Sequence, residues 1–194
     1  EPAASPAPAV QHAEGLDAAG LATITPGYWD DACRHLAKRD RVMKKLIPKF
    51  GEARLQSRGD AFTTLARSIV GQQISVKAAD AVWGRFCATC GELTPKSVLR
   101  RRATTLRSCG LSERKVEYIR DLCDHFISGR VDPTRFVGQD DEAIIAELTD
   151  IRGIGRWTAE MFLIFYLMRP NVLPLDDLGL IKGISQSYFS GEPV

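Results

Sequence analysis

The chain has 194 residues, a formal net charge of +2 and an apolar fraction of 44%, which suit one globular domain or two small lobes sharing a core. No apolar run reaches the ~20 residues needed to span a bilayer; the longest, Met161 to Met168, suits a buried helix. The charge is uneven, with four acids and no Lys or Arg in residues 1–30, so the remainder is more basic and modestly favours a nucleic-acid partner.

Residues 1–24 open with EPAASPAPAV and read as a disordered Ala/Pro-rich tail. They carry neither the basic region nor the long apolar run of a signal peptide. Order is expected from Thr25-Pro26 onward. Trp29, Ala32, Cys33 and Leu36 share a helical face, and Val42, Met43, Leu46 and Ile47 suggest a second short helix. Arg39, Arg41, Lys44, Lys45 and Lys49 make this region basic, either as a solvated face or as a DNA contact.

Asp60 can cap a helix running through Phe62, Leu65, Ile69 and Val70. It stops at Gly71-Gln72-Gln73-Ile74, where Ser75 can cap the next helix, through Val82, Trp83 and Phe86. Thr94-Pro95 is an N-cap followed by proline at the first helical position. Ser112 starts a helix whose inner stripe is Val116, Ile119, Leu122, Cys123 and Phe126. There is no run of alternating strands and no internal repeat, so the fold class is all-α.

Five cysteines without a secretory signal point to a reducing compartment. Cys87 and Cys90 form a CxxC, but no second close pair or nearby His completes a zinc site. His35 and His125 sit on amphipathic helices without matching partners and are assigned no chemistry.

Asp140, Asp141 and Glu142 suit the N-terminus of a short apolar helix. Ile151-Arg152-Gly153-Ile154-Gly155 then makes a tight turn, and Arg156 opens a long apolar helix ending at Arg169-Pro170. Two glycines one residue apart permit φ > 0 and close approach of another molecule. The first N–H groups of the second helix have no partner within it and can bind an anion. Helix, glycine hairpin, helix is thus a phosphate grip, although a GxG also serves simply to turn an αα-hairpin.

LTDIRGIGRWTAEMF, the apolar helix and VLPLDDLGL together resemble the helix-hairpin-helix (HhH-GPD) superfamily of DNA glycosylases, over roughly Phe62 to Tyr188. Within them the chain is most similar to the AlkA-like 3-methyladenine branch. The resemblance implies a two-lobed helical glycosylase domain over residues 25–194, with its active-site cleft between the lobes. On that resemblance the hairpin is expected over about 141–168, and the last C-terminal helices of the domain are expected to be lacking from this sequence. It implies a monofunctional DNA glycosylase that flips alkylated purines of the 3-methyladenine and 7-methylguanine type out of duplex DNA. Hydrolysis of the N-glycosidic bond would initiate base excision repair, without strand cleavage. The enzyme would act as a monomer on double-stranded DNA, in a bacterial cytoplasm at the nucleoid or in a eukaryotic nucleus.

Residue by residue, Leu173-Pro174-Leu175-Asp176-Asp177 matches the family setting of the catalytic carboxylate, with Asp177 in the catalytic position. Asp177 would stabilise oxocarbenium character on the sugar or orient water; its other role would be a helix N-cap. Relatives that cut the backbone place a lysine nucleophile where this chain has Trp157. An indole cannot form a Schiff base, but it can stack on an electron-poor base or pack in the core. The resemblance puts Gln73 at the wedge that fills the gap left by a flipped base, the alternative being a surface turn glutamine. Gly153 and Gly155 would present N–H groups to a phosphate, helped by Thr158, and Arg156 would reach a phosphate or stay exposed at the helix start. Trp29 and Phe62 are pocket candidates. The carbonyls of Thr149, Ile151 and Gly153 match a structural monovalent cation (Na or K) in relatives. No cofactor is required, and no iron–sulfur cluster is expected because no Cys follows Asp177. The rival readings are a non-catalytic helix-hairpin-helix DNA-binding module and a glycosylase for another base lesion.

Overall fold

Helix starts follow the capping residues legible in the sequence. The computed structural model, which describes residues 13–16, 22–51, 53–57 and 59–194, runs from α1 (Trp29–Arg39) and α2 (Arg41–Leu46) to α3 (Ala61–Gly71) and α4 (Val76–Cys90). Then come α5 (Pro95–Leu99), α6 (Ala103–Ser108), α7 (Glu113–Ile127), α8 (Asp141–Thr149), α9 (Arg156–Phe165) and α10 (Leu178–Tyr188). Asp60 accepts the Thr63 N–H at 2.9 Å to start α3. Ser75 starts α4, Ser112 starts α7 and Asp140 starts α8, each accepting an N–H of the first turn. Thr94 and Ser97 form a reciprocal capping box with Pro95 at the first helical position.

Among the described residues the fold is all-α apart from one β-hairpin. Ala13–Leu16 pairs antiparallel with Ala22–Thr25, placing Ala13 opposite Thr25 and Leu16 opposite Ala22. Seven of these eight residues are strand where the sequence suggests a disordered tail; Thr23-Ile24-Thr25 is a β-branched run, which favours extended backbone. The rest of that segment lies outside the described residues.

Two units divide the chain, Glu1–Arg58 with Leu175–Val194, and Gly59–Pro174. In the second, α3 is the central rod, burying Ala61, Phe62, Leu65, Ala66, Ile69 and Val70 against α4, α7 and α9. Phe136 stands edge-on to Phe162 at 6.0 Å, and Phe162 stacks on Tyr166 at 4.6 Å. Burying one such ring contributes about 1.5–3 kcal/mol, so this unit carries a substantial core.

The first unit is built differently. None of α1, α2 and α10 fully buries a residue. Asp40 holds the start of α2 by accepting the Val42 and Met43 N–H groups at 2.7 Å. The Met43 N–H, and after it the Tyr188 hydroxyl, keeps the Asp40 carboxyl below the usual carboxylate range.

The apolar helix after the hairpin ends at Phe165 rather than at Arg169. The Leu167 N–H returns to the Phe162 carbonyl (3.1 Å) and the Arg169 N–H to the Leu163 carbonyl (2.9 Å). These wider closures, with Met168 at φ +54°, satisfy the last carbonyls of α9 and turn the chain out of the helix.

Candidate nucleic-acid interface

The α8–α9 turn is tied down from several sides. Leu148 accepts the Ile151 N–H and Ile151 accepts the Ile154 N–H, at 3.2 and 3.1 Å. Gly153 alone of the two hairpin glycines uses left-handed backbone, at φ +86°. Tyr118 explains why no side chain fits there: an added Cβ would lie 2.2 Å from its Cδ2. Gly155 is extended, at φ −94°, and a Cβ on it would meet nothing within 4 Å. Its value is open space rather than positive φ. As the N-cap of α9 it offers no side-chain acceptor, a feature shared with the starts of α1 and α6, whereas α3, α4, α7, α8 and α10 are capped by side chains.

The turn after α3 is strained. Gln73 sits at φ +58°, a left-handed conformation that costs an L-residue about 1–2 kcal/mol. It is exposed, and so are Ile74 and, at 79%, Val76. A projecting amide flanked by uncovered apolar side chains has the chemistry of a wedge for stacked bases. Replacing Gln73 by Gly is expected to relieve the strain, raising stability by about 1 kcal/mol while removing the inserting group. A Gln73→Gly protein with a higher Tm but slower base release would fit this reading; unchanged release would remove Gln73 from the wedge role.

Gln73, Trp157 and Thr158 meet at a cleft of about 490 Å³, with Arg67 and Met161 also on its walls, a size in the usual range for small-ligand sites. Trp157 is 46% exposed and so belongs to the cleft rather than the core. Thr158 is 7% exposed and lines it from the first turn of α9. Arg67 donates to Asp80 at 3.0 Å and lies 6.0 Å from the centroid of Trp83.

Two expectations shift, those for Phe62 and Arg156. Phe62, expected as a pocket residue, is 3% exposed and meets Phe126 edge-to-face at 5.5 Å. It is core because α3 is the central rod and turns this residue inward. Trp29 lies in the other unit, at the start of α1, with its indole nitrogen buried and unpartnered. Arg156 is engaged within the hairpin: Nη1 donates to Glu142 Oε2 at 2.9 Å, Nη2 to Oε1 of the same residue, and Nε to Glu160 Oε1 at 3.0 Å. This fork holds the Glu142 carboxyl below the usual range and occupies the side chain expected to reach a phosphate.

Asp177 lies in the first unit, at the N-cap of α10. Its Oδ1 accepts the Leu180 N–H at 2.6 Å, and a Cβ on Gly179 would approach that oxygen to 3.1 Å. The carboxylate is thus oriented by the helix it starts. Asp176 is exposed beside it.

Sequence reasoning passed over the polar residues of α7. Lys115 donates to the carbonyls of Val70 (2.7 Å) and Gln72 (2.8 Å), and Asp121 accepts the Arg152 N–H at 2.8 Å. His125, assigned no chemistry, is buried with Nε2 3.2 Å from Asp150 Oδ2 and Nδ1 2.8 Å from the Asp121 carbonyl. With Tyr118 they recur at three- and four-residue spacing, a pattern legible in the sequence but running beside the apolar stripe of the same helix. Cys87 and Cys90 carry raised thiol pKa values, burial pushing Cys90 to about 11. Among the described residues no group of three His, Cys, Asp or Glu side chains is placed to hold a metal ion.

The chain is similar to several known proteins. A DNA-3-methyladenine glycosylase 1 of Schizosaccharomyces pombe is 35% identical over 157 residues, covering 77% of this chain and 68% of the relative. A DNA-3-methyladenine glycosylase of Saccharomyces cerevisiae is 32% identical over 84% of this chain, which spans only 60% of that protein. The structure of an S. pombe 3-methyladenine DNA glycosylase in complex with abasic DNA superposes with a TM-score of 0.72 at 30% identity, over 84% of this chain and 83% of the other. Residues 66–193 match the family described as HhH-GPD superfamily base excision DNA repair protein. The hairpin, the turn after α3 and the carboxylate at α10 all fall within that match, and the chain belongs to the HhH-GPD superfamily.

Proposed function

We propose that this protein is a monofunctional DNA glycosylase that flips alkylated purines, of the 3-methyladenine and 7-methylguanine type, from double-stranded DNA and hydrolyses the N-glycosidic bond. The observation that carries the reading is the meeting of Gln73, on its left-handed turn, with Trp157 and Thr158 of the uncapped α9 start around one cleft. A wedge, a stacking wall and a phosphate grip are the parts that extrusion of a base requires.

The chemistry follows from the leaving group. An N-alkylated purine already carries positive charge, so breaking the bond from C1′ returns the electron pair to the ring and neutralises it. Oxocarbenium character builds on the deoxyribose, where the Asp177 carboxylate stabilises it or orients a water. Water then adds to C1′ and loses a proton, leaving an abasic site and the free base. Trp157 supplies no amine, so no Schiff base forms and the strand stays intact. Gly153, Gly155 and the first N–H groups of α9 bind a backbone phosphate, with Thr158 at the same helix start. Arg156 serves to brace Glu142 and Glu160.

A monovalent cation at the Thr149, Ile151 and Gly153 carbonyls would be structural. Oxygen donors suit a hard cation. The Ile151 and Gly153 carbonyls each already accept one hydrogen bond, from the Ile154 N–H and from Gln72 Nε2, and each keeps a second lone pair. The set remains compatible with that role, and no step of the reaction runs through it.

The test is release of free methylpurines from methylated duplex DNA, with strand nicking followed separately. Release without nicks until alkali is added is the expected outcome. Duplex binding with no release would overturn the enzymatic reading and leave a DNA-binding hairpin. In the same assay Trp157→Ala is expected to lower kcat/KM by about 2- to 30-fold, as a stacking and cation–π contribution of ~0.5–2 kcal/mol implies. An unchanged value would take Trp157 out of base recognition.

A further inference from the structure

One face of α7 joins the two elements assigned to DNA contact. Lys115, Tyr118, Asp121 and His125 recur at three- and four-residue spacing, which places them on one side of the helix. At the N-terminal end, the Lys115 ammonium spans the end of α3, donating to the carbonyls of Val70 and Gln72. Further along, the Tyr118 ring fills the space beside Gly153, and Asp121 accepts the Arg152 N–H. The last link is direct. Gln72 Nε2 donates to the Gly153 carbonyl at 2.7 Å, crossing from the strained turn to the hairpin.

We propose that Lys115 and Gln72 are positioning residues that fasten the Gln73 turn to the α8–α9 hairpin, so that insertion of Gln73 and the grip on phosphate engage as one rigid unit; as a statement about DNA this rests on the glycosylase reading above. The physical case has three parts. Gln73 is held at φ +58°, and an unfavourable conformation persists only where its surroundings over-determine it. The two carbonyls that Lys115 holds flank the residue range in which the helix gives way to that turn. Lys115 is also partly desolvated, which lowers its pKa. Gln72 then ties the same turn to the one hairpin residue whose backbone is left-handed. A wedge free to pivot would push on a base stack without moving it. A wedge anchored to the phosphate grip transmits the force of backbone binding to the base.

The test uses three variants of the whole chain. Lys115→Met removes the charged donor at nearly constant shape, Gln72→Glu replaces the amide donor with an acceptor, and Lys115→Arg restores donors. Hydrogen–deuterium exchange of the DNA-free protein reads the fastening without reference to activity. Lys115→Met and Gln72→Glu are each expected to speed exchange about ten- to a hundredfold, the scale of losing hydrogen bonds of this kind. The effect should fall in the segment 70–76 and in the segment 150–157 together, and Lys115→Arg should recover most of the protection. Faster exchange confined to 70–76, or no change in either segment, would overturn the proposal. Should Lys115→Met loosen every segment, Gln72→Glu decides, because it leaves the α7 contacts in place.

On DNA, the signal is the fluorescence of 2-aminopurine beside the lesion. Both disrupting variants are expected to show a smaller rise on binding and about tenfold slower release at saturating enzyme, with duplex affinity changed less than twofold. Normal unstacking and release in variants with loosened segments would overturn the claim that fastening serves flipping. Wild-type protein that shows the coupled exchange but neither unstacks nor releases a base would instead sink the glycosylase reading and leave the fastening standing.

Discussion

Asp177→Asn is expected to abolish most base release while leaving the fold intact. Asn and Asp are about equally good N-caps, and the amide oxygen can take over acceptance of the Leu180 N–H that Asp177 Oδ1 now holds at 2.6 Å. Stability should therefore stay within about 0.5 kcal/mol of wild type. On the proposed mechanism this removes the negative charge that stabilises the developing oxocarbenium, and removing one such electrostatic stabiliser costs roughly 10²–10³-fold in rate. Asp177→Ala separates the two roles, because it loses the charge and also about 1 kcal/mol of capping. Thermal melts and single-turnover methylpurine release on all three proteins measure this. If Asp177→Asn releases base at the wild-type rate, Asp177 is a helix cap and nothing more. If it loses duplex binding as well, the residue contributes to binding rather than to chemistry.

Gly153→Ala is the substitution expected to damage the protein most for its size. The left-handed backbone costs an alanine roughly 1 kcal/mol or more. Its Cβ would also fall 2.2 Å from Tyr118 Cδ2, overpacking that typically costs 1–3 kcal/mol. Together these predict a loss of about 2–4 kcal/mol, a fall in Tm of roughly 5–15 °C, and weakened duplex binding. A double-mutant cycle isolates the cause. With the ring removed by Tyr118→Ala, the added methyl group should cost only the backbone term. An equal penalty in both backgrounds would show that the ring is not what demands glycine. The same substitution at Gly155, where φ is −94° and no atom lies within reach of a Cβ, should be nearly neutral for stability, so an effect on duplex binding there would report the phosphate directly.

The contrast between these two glycines shows what the chain carries in its letters. The sequence alone determined the helix starts, because Asp60, Ser75, Ser112 and Asp140 cap through contacts two or three residues away, and such local chemistry needs no knowledge of the rest of the fold. It also determined the all-α class through apolar periodicity, the hairpin through its GxG between helices, and the family through LTDIRGIGRWTAEMF and VLPLDDLGL. Tertiary structure alone decided which hairpin glycine needs its missing side chain, since that depends on a tyrosine 35 positions earlier in the chain (153 − 118). It decided that Phe62 is core, that Arg156 is bound to Glu142 and Glu160, and that α9 stops at Phe165. It alone revealed that Lys115 holds the turn after α3 and that Gln72 reaches from that turn to the hairpin, because Gln72 and Gly153 are 81 residues apart. A cap or a periodic stripe is written in neighbouring residues, whereas a partner across the core is written only in how the helices pack.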